Sequence, residues 1–226
     1  RERIPTSVTD LKKYLNLKRL PRRIECFDNS NFQGEYPVAS MVCFVDAKPR
    51  KKSYKHFHIK TVQGPDDFAS MHEILTRRYS KVMMNSEQIP DLIVVDGGKG
   101  QLSAAIRALK EIGFYGECEI IGLAKRLEEV FLPGKKDAIM IPKSSPALKL
   151  LQQVRDEAHR FAITFHRNIR SSQIIQTELT NITGIGEKTA KSLLKKFGSV
   201  ENIRKLERDT LTQEIGNTKA QIILEY

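Results

Sequence analysis

"PDLIVVDGG", residues 90–98, sets four consecutive apolar side chains between a Pro-Asp and an Asp-Gly-Gly. A run so short and so apolar leaves no polar face, which is what a strand covered on both sides requires. It predicts a central strand ending at Asp96, and with it a layered α/β domain. The neighbouring segments agree. "KGQLSAAIRALKEIG", 99–113, reads as a helix stopped by Gly113, and "CEIIGLAK", 118–125, as a second buried strand. Upstream, residues 65–84 place Phe68, Met71, Ile74, Leu75 and Tyr79 on one helical face, with acids in the first turn.

Farther out, "RRIECFDNS" (22–30), "YPVASMVCFVDAKP" (36–49) and "SYKHFHIKTV" (53–62) read as three strands with short connections, an antiparallel meander. Residues 127–142 suit a hairpin around Pro133-Gly134. Residues 145–170 form a long amphipathic pattern, with Ser145 as N-cap and Pro146 in the first helical position. The predicted order is βββαβαβ, a hairpin, then a long helix. This mixed sheet with flanking helices occupies 1–170, with 1–22 a polar, basic lead-in in which "DLKKYLNL" (10–17) suits a short helix. A polar linker follows over 171–178, "SSQIIQTE", and a small all-α domain over 179–226. In that last part "GIGEKTA" (184–190) recurs as "EIGNTKA" (214–220), predicting two copies of helix, tight turn, helix.

The net charge of the 226 residues is +11, and residues 1–178 carry +9 of it. An excess of that size favours a polyanionic partner, nucleic acid before an anionic membrane. No apolar run approaches the roughly 18 residues of a membrane span, and no signal peptide is visible. The chain starts at Arg1, as a piece lacking its N-terminal portion would. Three scattered cysteines, Cys26, Cys43 and Cys118, with no C-x-x-C pair, suit a reduced, cytoplasmic setting without zinc.

Two acids end apolar runs, Asp28 and Asp96. If their strands are neighbours, the carboxylates lie side by side and call for a hard divalent cation, Mg²⁺ or Mn²⁺. Taken singly, each also suits a turn former or helix cap. In "RDEAHRFA" (155–162) a helical wheel sets Val154, Ala158, Phe161 and Phe165 on the buried stripe. His159 falls at the stripe's edge with Arg155 on the same flank, a place for a catalytic group or for an amphipathic spacer. Asp156 and Arg160 lie away from the core and are expected to pair at i, i+4.

"GGKGQLSAA" lacks the G-x-x-x-x-G-K-[ST] spacing of a nucleotide loop, yet its turn and Lys99 suit one DNA phosphate. "KPRKKSYKHFHIK" (48–60) carries six basic residues that suit either a DNA channel or a guarded edge strand. In the tail, the Gly184-Ile185-Gly186 turn opens a helix beside Lys188 and Lys191, an arrangement for sequence-independent phosphate contacts. Gly216 and Lys219 are the candidates in the second copy. Glu214 stands there where the first copy has Gly184, and its charge opposes a phosphate.

"IECFDNSNFQG", "DLIVVDGGKGQL" and "RDEAHRFAITFHR" together resemble the C-terminal half of the UvrC family of bacterial nucleotide excision repair endonucleases. "GIGEKTAKSLLKKFGS" resembles its helix-hairpin-helix tail. The resemblance, from about residue 10 onward, implies an RNase H-like nuclease domain followed by a tandem helix-hairpin-helix domain. It implies a catalytic Asp, Asp and His at Asp28, Asp96 and His159, with His159 a third metal ligand or a proton-transfer group. It further implies 5′ incision beside a lesion in double-stranded DNA, with UvrB, loaded by UvrA, positioning the nuclease through the missing N-terminal part. One departure stands out: the family's "FDIS-H" is "FDNSN" here, with Asn29 for an apolar residue and Asn31 for a histidine. A non-catalytic DNA-binding adaptor and a structure-selective nuclease outside repair are the alternatives.

Overall fold

The structure, a computed structural model, describes residues 3–29, 38–62, 64, 66–124 and 129–225, without the side chains of 166–177. It divides into two compact units, 1–163 and 164–226.

In the first unit, β1 (Arg23–Asp28) and β5 (Leu92–Asp96) run parallel at the centre of one mixed sheet. β6 (Glu119–Leu123) extends it in parallel beside β5, and the short β7 (Glu129–Phe131) and β8 (Ile139–Met140) close that side antiparallel. On the other side β2 (Val38–Val45) pairs antiparallel with β1, and both β3 (Lys48–Pro49) and β4 (Lys55–His58) pair with β2. The expected meander is therefore present, interrupted by a 3₁₀ turn at Lys51–Ser53.

The period of two along each strand sorts side chains into two cores. Ile24, Cys26, Leu92, Val94, Ile121 and Leu123 face α1 (Thr6–Leu15) and α4 (Pro146–Thr180). Phe27, Ile93, Val95 and Ile120 face α2 (Asp67–Met84) and α3 (Lys99–Glu111). Helices thus cover both faces, as the unbroken apolar run of β5 demands. Glu25 points to the α2 side, fully buried, where Arg78 Nη2 at 2.9 Å, Arg23 and the Tyr79 hydroxyl all donate to it.

Two boundaries differ from the sequence reading. The expected helix of the lead-in, α1, starts earlier, at Thr6, and its Val8, Leu11 and Leu15, buried at i, i+3, i+7, belong to the core. The backbone of 171–178 is helical, part of α4, because "SSQIIQTE" contains no glycine or proline to break it. Ser145 caps α4 as expected, its Oγ accepting from Ala147 N at 3.1 Å.

The second unit holds α5 (Glu187–Phe197), α6 (Val200–Arg204), α7 (Arg208–Ile215) and α8 (Asn217–Glu225). The repeat shows in its core: Ala190 and Ala220 are both fully buried, alongside Ile185, Leu193, Ile203 and Leu211.

Candidate functional site

The β1–β5 register pairs Phe27 with Val95, so Asp28 and Asp96 follow in step at the carboxyl ends of adjacent parallel strands. Both have the parity of Cys26 and Val94 and therefore stand on the face that α4 covers. The end of a central parallel strand is where α/β sheets place their ligands. A cleft of about 410 Å³ opens there, lined by Asp28, Asn29, Asp67, Asp96, Gly97, Gly98, Gln101, Leu123, Arg155 and His159.

Helix α4 supplies the opposite wall. Val154, Ala158 and Ala162 are buried against the sheet, which leaves Arg155 and His159, one turn apart, at the stripe's edge. His159 Nδ1 lies 3.2 Å from Asp28 Oδ2, with the histidine side chain 51% exposed and the aspartate 5%. A second tie sets the helix in place. Ser40, opposite Asp28 in the β1–β2 register, donates its hydroxyl to the Ala158 carbonyl at 3.1 Å.

The charge in this helix is arranged differently from the expected Asp156–Arg160 pair. Arg160 instead makes two 2.7 Å bonds to Glu157. Glu157 is already fixed by the Tyr54 hydroxyl at 3.0 Å, a partner that helical spacing alone does not reveal. Asp156 is 70% exposed and sits 3.9 Å from Arg155.

Burial, and then the neighbouring charge of Asp28, push the Asp96 carboxyl up to about 6, against the pull of Arg155 and His159. The Asp96 side chain does not cap α3, because the N-cap is Gly98. Cys26, two residues before Asp28 on the same face, is fully buried; burial, then Asp96 and Asp28, raise its thiol well above the usual range. Gly97 has a local reason too, since a side chain there would collide with the Gln101 amide.

Sequence reasoning missed Asp67, which reads there as an ordinary first-turn acid of α2. It also missed Asn29 and Gln101 as cleft residues. Lys99 stands outside the cleft lining, its ammonium bonded to the Lys136 carbonyl and 5.4 Å from the Phe131 ring. Asn31 falls outside the described residues.

In the second unit the two glycines of the first turn differ. Gly184 has φ +95°, which favours glycine, and a side chain there would also press on Ile222. Gly186 is the N-cap of α5 at φ −85°, ψ 167°, open to any residue, so only Gly184 has a backbone that a β-branched side chain would strain. A Cβ on Gly186 would meet nothing within 4 Å, and Lys188 is exposed beside it. Lys191 pairs with Glu187 at 3.7 Å. Gly216 has φ +84°, and Lys219 Nζ donates to Thr189 at 3.3 Å. Glu214 is ion-paired with Lys196, which offsets the charge that would oppose a phosphate.

Residues 12–163 match the UvrC RNase H endonuclease domain, and residues 177–225 the SAM-like helix-hairpin-helix tandem. The UvrABC system protein C of Prosthecochloris aestuarii is 53% identical over 99% of this chain and 36% of its own length. That of Chlorobium chlorochromatii is 54% identical over 97% of this chain and 34% of its own. The chain thus spans about a third of the relatives it matches. Among solved structures, the endonuclease V of Bacillus subtilis is similar at a TM-score of 0.40 and 14% identity, over 71% of this chain and 91% of that one. That likeness is too distant to bear on function. With its RNase H endonuclease domain followed by the helix-hairpin-helix tandem, the chain belongs to the UvrC family.

Proposed function

We propose that the Asp28–Asp96 cleft hydrolyses a DNA phosphodiester, making the 5′ incision beside a lesion, with Mg²⁺ or Mn²⁺ held by the two carboxylates. The observation that carries this reading is the in-step placement of Asp28 and Asp96 on adjacent parallel strands, facing His159 and Arg155 across one cleft.

The donors fit such an ion. Two carboxylates pressed together, one holding its proton to about 6, leave a charge that a cation offsets, and their oxygens suit a hard one. Among the described residues no three His, Cys, Asp or Glu side chains form a ready cage, so neutral oxygens, water or substrate phosphate would have to complete the ion's shell. When bound, the ion stabilises charge developing on the phosphoryl group and activates water. His159, oriented through Nδ1 by Asp28, would take or give a proton at its imidazole ring. Arg155 places a cation one turn away for a phosphate oxygen, and the N-terminus of α3 at Gly98 offers backbone N–H groups. Asp67 adds a further acid to the lining.

The helical repeats would hold duplex DNA through its phosphates, with Gly184, Gly186, Lys188 and Lys191 leading and Gly216 and Lys219 contributing less. In the longer protein UvrB, loaded by UvrA, would bring this nuclease to the lesion in the cytoplasm. Three cysteines without a disulfide suit that compartment, and no helix among the described residues is long and apolar enough to cross a membrane.

The test uses the full-length protein with UvrA, UvrB and a lesion-bearing duplex. Asp28→Ala, Asp96→Ala and His159→Ala are expected to abolish the 5′ cut while the 3′ cut, duplex binding and folding persist. Cutting at the parent's rate by His159→Ala or Asp96→Ala overturns the assignment, and a parent that binds but never cuts would indicate an adaptor.

A further inference from the structure

Four buried side-chain polar atoms among the described residues lack a hydrogen-bond partner, and two of them line this cleft: Asn29 Oδ1 and Gln101 Oε1. Buried acceptors are nearly always satisfied, so two orphans in one cleft point to something absent that donates or carries positive charge. Asn29 is 4% exposed, and its orientation is fixed, because Nδ2 donates to the Asp67 carbonyl at 2.9 Å. Turning the amide over would set oxygen against oxygen. Gln101 rests on Gly97 and is held there by the lack of a side chain at that position.

We infer that Asn29 and Gln101 are part of the cation site, their carboxamide oxygens accepting from the waters that surround the ion held by Asp28 and Asp96. This rests on the cleft being a cation site, as proposed above. Neutral oxygens suit the role, because they accept from the ion's waters while the acids of the lining supply the charge. An outer shell of this kind orients the ion's waters, and its loss typically weakens metal binding about tenfold or more.

The test is Mn²⁺ affinity of the chain without DNA, read from the electron paramagnetic resonance of free Mn²⁺, with melting in chelator as a control. Asn29→Leu removes both amide atoms, whereas Asn29→Asp keeps an oxygen and removes the donor to Asp67. Affinity is expected to fall about tenfold in Asn29→Leu and in Gln101→Leu, and to be retained or raised in Asn29→Asp. Equal loss in Asn29→Leu and Asn29→Asp would make the Asp67 anchor the active part and overturn the inference. So would affinities within twofold of the parent in both leucine variants while Asp96→Asn has lost Mn²⁺. If Asp96→Asn itself binds Mn²⁺ like the parent, the cation site as a whole is wrong. Should Asn29→Leu fail to melt cooperatively, Gln101→Leu and Asn29→Asp decide.

Discussion

Replacing Asp96 with asparagine should make the metal-free protein more stable. Its carboxyl binds a proton at about 6 in the fold against 3.8 for an ordinary aspartate. A tenfold change in proton affinity is about 1.4 kcal/mol, so keeping Asp96 ionised costs the fold up to about 3 kcal/mol above neutral pH. Partial solvent access reduces this to about 1.5–3 kcal/mol. The sign follows from proton uptake: between pH 3.8 and 6 the folded state holds a proton that the unfolded state releases. This contribution is therefore complete below pH 4 and is lost as pH rises through 6. The amide of Asp96→Asn carries no charge to penalise and can donate to Asp28. In chelator at pH 8, calorimetry should show the 1–163 transition raised by roughly 4–10 °C. At pH 5 the gain should be roughly half as large. Saturating Mn²⁺ should narrow or reverse the order, because it stabilises only the form that binds it. An Asp96→Asn protein no more stable than the parent at pH 8 in chelator would refute the electrostatic reasoning.

Other consequences can be measured directly. Gly186→Val should fold normally yet bind duplex more weakly, because its side chain meets only an outside ligand, whereas Gly184→Val should lower the melting of the second unit. Unchanged duplex affinity in Gly186→Val would remove that turn from the DNA interface. Lys188→Ala should flatten the slope of log K against log salt by about 0.9 for any duplex sequence, with a smaller change for Lys191→Ala because Glu187 already engages it. Arg78→Met leaves the buried Glu25 without its chief partner and should cost about 3–5 kcal/mol in urea unfolding, much of it recovered by adding Glu25→Leu.

The layers and the strand-end acids were legible because a period of two and a period of 3.6 are local properties. The apolar run of β5 marked the sheet's centre, and the positions of Asp28 and Asp96 followed from where the apolar runs stop. His159 could be set at a helix edge by angle alone. What escaped depends on partners far along the chain. Asp67 looks like any acid in a first turn until α2 is docked beside β1. Glu157 outcompetes Asp156 for Arg160 because Tyr54, 103 residues away, already holds it. The core role of α1 is masked because Val8, Leu11 and Leu15 stand among Thr9, Asp10, Lys12 and Lys13, and 171–178 looks like a linker because its composition is polar although it holds no helix breaker. The orphan oxygens of Asn29 and Gln101 have no signature in sequence, since an unmet hydrogen bond exists only in three dimensions.

Cys26 gives the site a chemical temperament. It stands on the same face as both acids, two residues from Asp28, and burial together with those acids holds its sulfur in the protonated form. Thiolate, not thiol, is what thiophilic ions and oxidants attack. Burial therefore silences the nearest soft donor, and the carboxylates that would welcome a hard ion reinforce it. Peroxide would meet a buried thiol there rather than an exposed thiolate, and a soft ion would first have to displace its proton.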